Sequence, residues 1–334
     1  MLKISLAGLI ILSQLCSYNS YFSGGVTKVN GFFNTWETKY IEKVEELTSN
    51  MVIYPALKRK TSETPITEGK AAVIYDPKTR QILWSKRENE PLPLASLSKV
   101  MTAIIVLENC KLTDKVKVPK ITVTSEDAKI GLKKGEVLTV QALLDAMLIR
   151  SANDAAIALA IHCGGSIEGF VELMNQKAEE LGLENTGFAN SAGLDEDGNK
   201  PKAWKDIVMK DNHVTALDMA KITAYALDNE EFVKINRMRE TKIKRVREGK
   251  VAYYEVKNTH HILRPRFKEE EYKTPKGVKI IGGKTGYTED AGFCLMTITW
   301  MEDRPIIFVI LNSSKATNET KSLIDWVHGS FEWR

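Results

Sequence analysis

The hydrophobic period of this sequence changes twice, and that pattern limits the fold more than any other feature. Residues 71–75 are apolar, Asp76-Pro77-Lys78-Thr79 carries turn chemistry, and Ile82 and Trp84 alternate with polar neighbours across 81–85, which predicts a hairpin. Pro91 and Pro93 end that stretch. Met101, Ile104, Ile105 and Leu107 then recur at helical spacing over 96–107, with Ser96 near the first turn. From 122 to about 227 the apolar residues keep a helical period, broken at Gly131, Gly164-Gly165 and Gly193. Alternation returns over 241–247 and 251–256, around Glu248-Gly249-Lys250, and again over 279–283, 292–300 and 305–311. Residues 317–327 finish as a helix. Strands on both sides of a helical insertion require a sheet closed by distant parts of one chain. The reading is α+β: an antiparallel sheet flanked by helices, an inserted all-helical lobe over about 120–235, and a site in the cleft between them.

The first residues read differently. Lys3 precedes an apolar run over 4–15 that is short for a membrane span, so residues 1–25 are read as a signal or membrane-targeting segment, with a buried helix as the plainer reading beside it. Phe32, Phe33, Trp36, Tyr40, Ile41, Val44 and Leu47 share one helical face, read as packing against the protein's own core. With the Thr-, Ser-, Lys- and Pro-rich stretch 58–69 read as a linker, residues 26–69 form an amphipathic extension, and the main domain runs over 70–334.

Composition excludes several classes of function. The 47 basic and 43 acidic residues leave a net charge of +4, too mild to argue for a nucleic-acid partner. Cys16, Cys110, Cys163 and Cys294 are scattered without a C-x-x-C pair, which excludes a zinc ribbon and a disulfide-dense scaffold; no metal site is expected. If Cys16 is removed with a leader, at least one of the other three stays unpaired within the chain. The basic cluster Arg237, Arg239, Lys242, Lys244, Arg245, Arg247 and Lys250 reads as a solvated hairpin edge, or more sharply as a contact for an acidic polymer or anionic surface.

Three short motifs carry chemistry. Ser96-Leu97-Ser98-Lys99 sets a hydroxyl and an amine three positions apart, a spacing that shares a helix face. A serine becomes a nucleophile when a base takes its proton, and lysine can be that base once desolvation or a second cation lowers its pKa. About one Ser-x-x-Lys arises by chance in a chain this long, so alone it reads as solvated side chains. Ser151-Ala152-Asn153 follows the apolar helix expected over 140–149 and alone reads as a helix cap. Gly282-Gly283-Lys284-Thr285-Gly286 sits on or just after a buried strand. A phosphate loop would need glycine where Val278 stands. Lys284 and Thr285 instead suit a carboxylate, and a backbone N–H beyond Gly286 suits an oxyanion.

In this order the motifs resemble the Ser-x-x-Lys, Ser-Asp-Asn and Lys-Thr-Gly set of penicillin-binding proteins and class A β-lactamases. The chain resembles the serine D-alanyl-D-alanine carboxypeptidases, the low-molecular-mass penicillin-binding proteins of bacteria. The likeness runs from about Lys70 to the C-terminus. It includes Leu92-Pro93-Leu94-Ala95-Ser96, Gly131-Leu132-Lys133-Lys134-Gly135-Glu136, Arg150-Ser151-Ala152-Asn153-Asp154-Ala155 and Asn185-Thr186-Gly187-Phe188-Ala189-Asn190-Ser191-Ala192-Gly193-Leu194. Ala152 replaces the Asp of the middle motif, between the two residues that carry its functional atoms. The chain ends about fifty residues after Lys284, without the β-rich domain and amphipathic anchor of many relatives, which leaves membrane attachment to the N-terminus.

The resemblance implies roles. Ser96 attacks the carbonyl between two terminal D-alanines of a peptidoglycan stem peptide, Lys99 takes its proton, D-alanine leaves, and water frees the acyl-enzyme. Ser151 relays a proton to the departing amine, and Asn153 orients Lys99 or the substrate amide. Lys284 keeps a positive charge near both and, with Thr285, binds the terminal carboxylate; the backbone N–H groups of Ser96 and Tyr287 form the oxyanion hole. It also implies β-lactams as acylating inhibitors, no cofactor, and a place on the outer face of a bacterial membrane, secreted or membrane-associated. His260 and His261, adjacent on an expected strand, face opposite sides and are read as structural. A β-lactamase would need an added Glu, for which Glu184 is the candidate, although its setting matches the carboxypeptidase segment. A transpeptidase or a silent wall-binding paralogue would share the same fold, and the intact motif set opposes the silent paralogue.

Overall fold

A computed structural model of the chain describes residues 54–121, 128–195 and 212–333. The chain divides into two compact units, Met1–Tyr54 and Pro55–Arg334, and the fold below is that of the second. The expected targeting segment and the stripe from Phe32 to Leu47 lie outside the described residues.

In chain order, β1 (Ala71–Asp76), β2 (Gln81–Lys86) and β3 (Leu92–Pro93) lead to a 3-10 turn (Ala95–Ser98) and α1 (Lys99–Asn109). Then come β4 (Lys115–Lys117), β5 (Val137–Thr139), α2 (Val140–Ile149), α3 (Asn153–Gly164), α4 (Ile167–Glu180), β6 (His213–Val214), α5 (Ala216–Ala226) and α6 (Glu230–Asn236). The chain finishes with β7 (Glu240–Arg247), β8 (Lys250–Lys257), β9 (Val278–Thr288), β10 (Gly292–Met301), β11 (Arg304–Leu311) and α7 (Ala316–Ser330).

The main sheet has the order β2-β1-β11-β10-β9, and every pair in it is antiparallel. β1 joins β11 from Ala71↔Leu311 to Tyr75↔Ile307, so the ends of the domain close one sheet around the helices, as the two changes of period require. Both faces are covered. Val73, Ile307 and Val309 point to the core shared with α1 to α5, while Ile74, Phe308 and Ile310 pack with Leu323, Ile324 and Val327 of α7. That double burial is why β1 and β11 read as unbroken apolar runs. α1 is buried at every residue from 99 to 106, the signature of a helix with no solvent face.

Three expectations change. The hairpin β7–β8 is not part of the main sheet; it forms a second sheet of order β4-β5-β7-β8. The lobe read as all-helical thus carries the short strands β5 and β6, three and two residues long, while β4 lies just before it; all are too short to display a period. Residues 55–69 are no loose linker. Lys60 N–H donates to the Ser330 carbonyl at 2.7 Å, Glu332 N–H to the Lys58 carbonyl at 2.9 Å, and Gln81 brackets the Leu57 backbone at 2.9 and 3.0 Å. The cysteines agree with the reading that at least one of the last three stays unpaired: Cys110, just past α1, is joined to Cys163 in the last turn of α3, and Cys294 is a buried thiol pushed up to about 11 by burial. Among the described residues no single helix is long and apolar enough to cross a membrane.

Candidate active site

The site begins at a tight turn. Ala95 adopts a left-handed backbone (φ 48°) and opens the 3-10 turn that carries Ser96, after which Lys99 is the first residue of α1. The three-residue spacing brings Lys99 Nζ to 2.6 Å from Ser96 Oγ. Lys99 is wholly buried, and its amine also donates to Asn153 Oδ1 at 2.7 Å and to the Ala192 carbonyl.

A second lysine–serine contact faces the first. α2 ends at Ile149, and Ser151 turns the chain through a left-handed conformation (φ 65°) so that Asn153 can start α3. Its Oγ accepts from Lys284 Nζ at 2.7 Å; Lys284, in the middle of β9 opposite Met296, also donates to the Thr285 carbonyl at 2.8 Å. Lys284 is buried, and burial pushes its ammonium down to about 7 despite those acceptors. At neutral pH Lys284 is therefore close to half charged in the empty site.

The supporting residues have no motif of their own. Asn190 Oδ1 accepts from the N–H groups of Ala192, Gly193 and Leu194 at 3.1, 2.7 and 3.1 Å, curling the loop that aims the Ala192 carbonyl at Lys99. Asn212 holds that loop through Ala189 N–H at 2.6 Å and the Asn190 carbonyl at 2.8 Å, and Thr102 of α1 donates to the Ser191 carbonyl at 2.7 Å. Gly193 (φ 76°) lies so close that an added Cβ would stand 1.9 Å from the Ala95 carbonyl oxygen, so no other residue fits beside the Ser96 turn. Asp154 accepts from Ile130 and Leu132 N–H at 3.2 and 2.8 Å, tying the segment before β5 to the start of α3. Thr285 Oγ1 is 2.7 Å from Thr259 Oγ1, and Thr259 N–H donates to the Ile149 carbonyl at 3.1 Å. The sequence signal for Asn190 was the turn-rich run around Gly193; Thr259 had none.

The remaining candidates spread out. Gly286 lies against the Leu94 carbonyl, with room for no Cβ beyond 2.9 Å, and the Tyr287 side chain is 58% exposed against Phe293, ring centroids 4.5 Å apart. His260 and His261 follow β8 rather than lying on a strand. His260 is buried neutral, pushed down to about 4 by burial and by His261; its Nδ1 accepts from Leu263 N–H at 3.3 Å, so Nε2 donates to Thr297 Oγ1 at 2.9 Å. Glu184 is exposed in the turn before Asn190. The motifs named by sequence thus meet in one cleft, with two buried amines each on a serine hydroxyl.

This fold is that of solved DD-peptidases. A point mutant of the Streptomyces K15 DD-transpeptidase superposes with a TM-score of 0.67 at 26% identity, covering 80% of this chain and 99% of that one. A D-alanyl-D-alanine carboxypeptidase from Mycobacterium tuberculosis H37Rv shares the fold at 24% identity, TM-score 0.67, over 81% of this chain and 96% of that one. The family model for D-alanyl-D-alanine carboxypeptidases matches residues 58–315, and the chain belongs to that family. Among curated relatives, DacF of Bacillus subtilis is 31% identical over 282 residues and DacC of Escherichia coli 31% over 289, each covering 82% of this chain. The chain spans 65% and 64% of the length of those two proteins.

Proposed function

We propose that the protein is a serine D-alanyl-D-alanine carboxypeptidase that removes the terminal D-alanine from peptidoglycan stem peptides through an acyl-enzyme on Ser96. One observation carries this reading: the three contacts of the buried Lys99 amine. A neutral amine has two N–H donors and one lone pair. In the structure the Lys99 amine donates to Ser96 Oγ at 2.6 Å, to Asn153 Oδ1 at 2.7 Å and to the Ala192 carbonyl; as the neutral base of this reading it keeps its two N–H groups on Asn153 and Ala192, which leaves the lone pair for the Ser96 proton. Ser96 Oγ then bonds to the carbonyl carbon as its proton passes to Lys99 Nζ, and the oxyanion is held by the backbone N–H groups of Ser96 and Tyr287. The C–N bond breaks, D-alanine leaves with a proton relayed through Ser151, and water hydrolyses the ester. The substrate carboxylate takes its place on Lys284 and Thr285, where it restores the ammonium that burial disfavours.

The Cys110–Cys163 disulfide supports an oxidising, extracytoplasmic setting, and the apolar run over 4–15 supports delivery to or across the membrane. Exposure of Glu184 weighs against a class A β-lactamase route. The likeness to a DD-transpeptidase favours a second outcome at the same acyl-enzyme, capture by an amine instead of water. Intact mass after benzylpenicillin, from seconds to an hour, tests the reading with Ser96→Ala alongside. A lasting adduct absent from the variant is expected; no adduct overturns the assignment, and an adduct that clears rapidly with hydrolysed drug turns it into a β-lactamase.

A further inference from the structure

A groove of about 790 Å³ lies apart from Ser96, and none of its lining residues belongs to the cleft described above. Its floor is the main sheet, at Tyr75, Ile281 and Trp300; its walls are the β1–β2 turn with Arg80, and the α5–α6 region with Tyr225 and Arg237. A cavity of this volume is ordinary for a small-molecule or oligomer site.

The chemistry of the lining is specific. Arg80 and Arg237 are exposed, and neither guanidinium has a hydrogen-bond or ion-pair partner among the described residues. Lys78 adds a cation at the rim, Lys221 is held by Asp218 at 3.1 Å, and Asp228 is the one carboxylate in the lining. The aromatic side chains already have partners for their polar edges. Trp300 donates its indole N–H to the Glu302 carbonyl at 3.0 Å, and the Tyr225 hydroxyl donates to Glu108 at 2.6 Å. Lys177 Nζ stands over the Tyr225 ring, 5.4 Å from its centroid, so the open ring surface is that of the 38%-exposed Trp300 and the remaining face of Tyr225, beside guanidinium groups whose fork matches carboxylate or phosphate.

We propose that this groove binds an acidic saccharide, its sugar rings against Tyr225 and Trp300 and its carboxylate or phosphate groups on Arg80 and Arg237. Ile281 lines the groove three residues before Lys284 on β9, and Arg237 follows Asn236, whose Oδ1 accepts the Gly283 N–H. A polymer seated there runs beside the strand that carries Lys284 and keeps the protein on it. That last consequence rests on the peptidase reading; the binding itself does not.

The test is microcalorimetry of the full chain at low salt with three probes: a glucuronate-containing hyaluronan tetrasaccharide, a maltotetraose phosphate, and neutral chitotetraose. At least one acidic probe is expected to bind about tenfold tighter than the neutral one, the worth of roughly one charge-assisted contact. Arg80→Ala/Arg237→Ala is expected to abolish that difference, and Trp300→Ala to weaken every probe that binds. Thermal unfolding of the variants, whose changed side chains are exposed, should match the parent. Whichever acidic probe binds tighter identifies carboxylate or phosphate as the recognised group. Equal binding of acidic and neutral probes, no binding up to about 10 mM, or an unchanged difference in the double variant each overturns the proposal. Benzylpenicillin adduct formation reports separately on the Ser96 reading.

Discussion

In the cleft, Lys99 and Lys284 are buried, and each amine meets a serine hydroxyl and at least one further acceptor. Along the β7–β8 hairpin, Lys242, Lys244 and Lys250 lie in water, and Lys257 pairs with Glu255 at 2.9 Å with both side chains about half exposed. The two regions use the same residue for opposite ends. Removing an ammonium from water is costly, and it persists where the neutral amine or a recruited anion is the useful state. A lysine left in water keeps its charge, and an exposed pair contributes little to stability. The hairpin has one exception to its own rule. Arg245 points inward, bonding Glu136 Oε2 at 2.5 Å and the Ile130 and Gly131 carbonyls at 3.0 and 3.1 Å, with its guanidinium over Tyr254.

The comparison breaks first if a buried lysine proves dispensable. Lys99→Met keeps the volume and removes the proposed base, so acylation by benzylpenicillin should slow by about a hundred- to ten-thousand-fold, the usual range for a positioned base. Lys244→Met should leave that rate unchanged. A time course of intact mass on both variants checks this, and acylation by Lys99→Met within tenfold of the parent would remove Lys99 from the reaction.

Arg245 gives the next largest effect. Its variant Arg245→Met strands the buried Glu136 carboxylate and two carbonyls, at a cost of about 3 kcal/mol in unfolding free energy. Pairing it with Glu136→Leu should recover most of the loss, which denaturant titration of both variants measures. Ile130, whose carbonyl Arg245 holds, donates its N–H to Asp154 next to Asn153, so this one hairpin cation also braces the cleft.

How much of this was readable depended on length and on which atoms act. β1 and β11 are buried on both faces, and their apolar runs showed it; the run before Lys284 showed as a strand although it lies at the sheet edge with Lys279 exposed. β4 and β5 have three residues each, so only the β7–β8 half of the second sheet left a period to find. Residues 58–69 look like a linker from their Thr, Ser and Pro content, whereas what holds them is the backbone of Lys58 and Lys60 bonded to Glu332 and Ser330, which composition does not encode. Within the site, Ser96, Lys99, Ser151 and Lys284 stood in motifs whose order identified the family. The Ala192 carbonyl, which completes the Lys99 environment, belongs to the backbone and has no residue letter. Four cysteines permit several pairings, and the Cys110–Cys163 bond depends on α1 and α3 ending side by side.

The two buried lysines are themselves separable by pH. Lys284, pushed down to about 7, is charged below that pH and neutral above it until a carboxylate binds. Binding a carboxylate above pH 7 therefore takes up a proton, and affinity should fall about tenfold per pH unit there. A peptide ending in a carboxamide lacks that dependence but shares whatever Lys99 contributes. The ratio of kcat/KM for the two peptides should thus drop with pH above about 7, and a flat ratio would show that Lys284 keeps its charge without substrate.

The smallest effect belongs to the solvated face. Lys244 stands opposite Tyr253 on the outer side of the hairpin, where Tyr253 is 70% exposed, and no hydrogen bond or ion pair joins Lys244 to another described residue. The turn that fixes the register lies elsewhere, at Glu248 and Gly249, both left-handed (φ 50° and 74°) in the manner of a two-residue hairpin loop. With its backbone set by that turn and its charge in water, Lys244→Thr should change unfolding free energy by no more than about 0.5 kcal/mol. The β-branched replacement suits a strand, so any change should favour the fold slightly. A loss near that of Arg245→Met in the same denaturant titration would mean that the outer cations are coupled to the fold, and the contrast between dry and wet lysines would fail at its wet end.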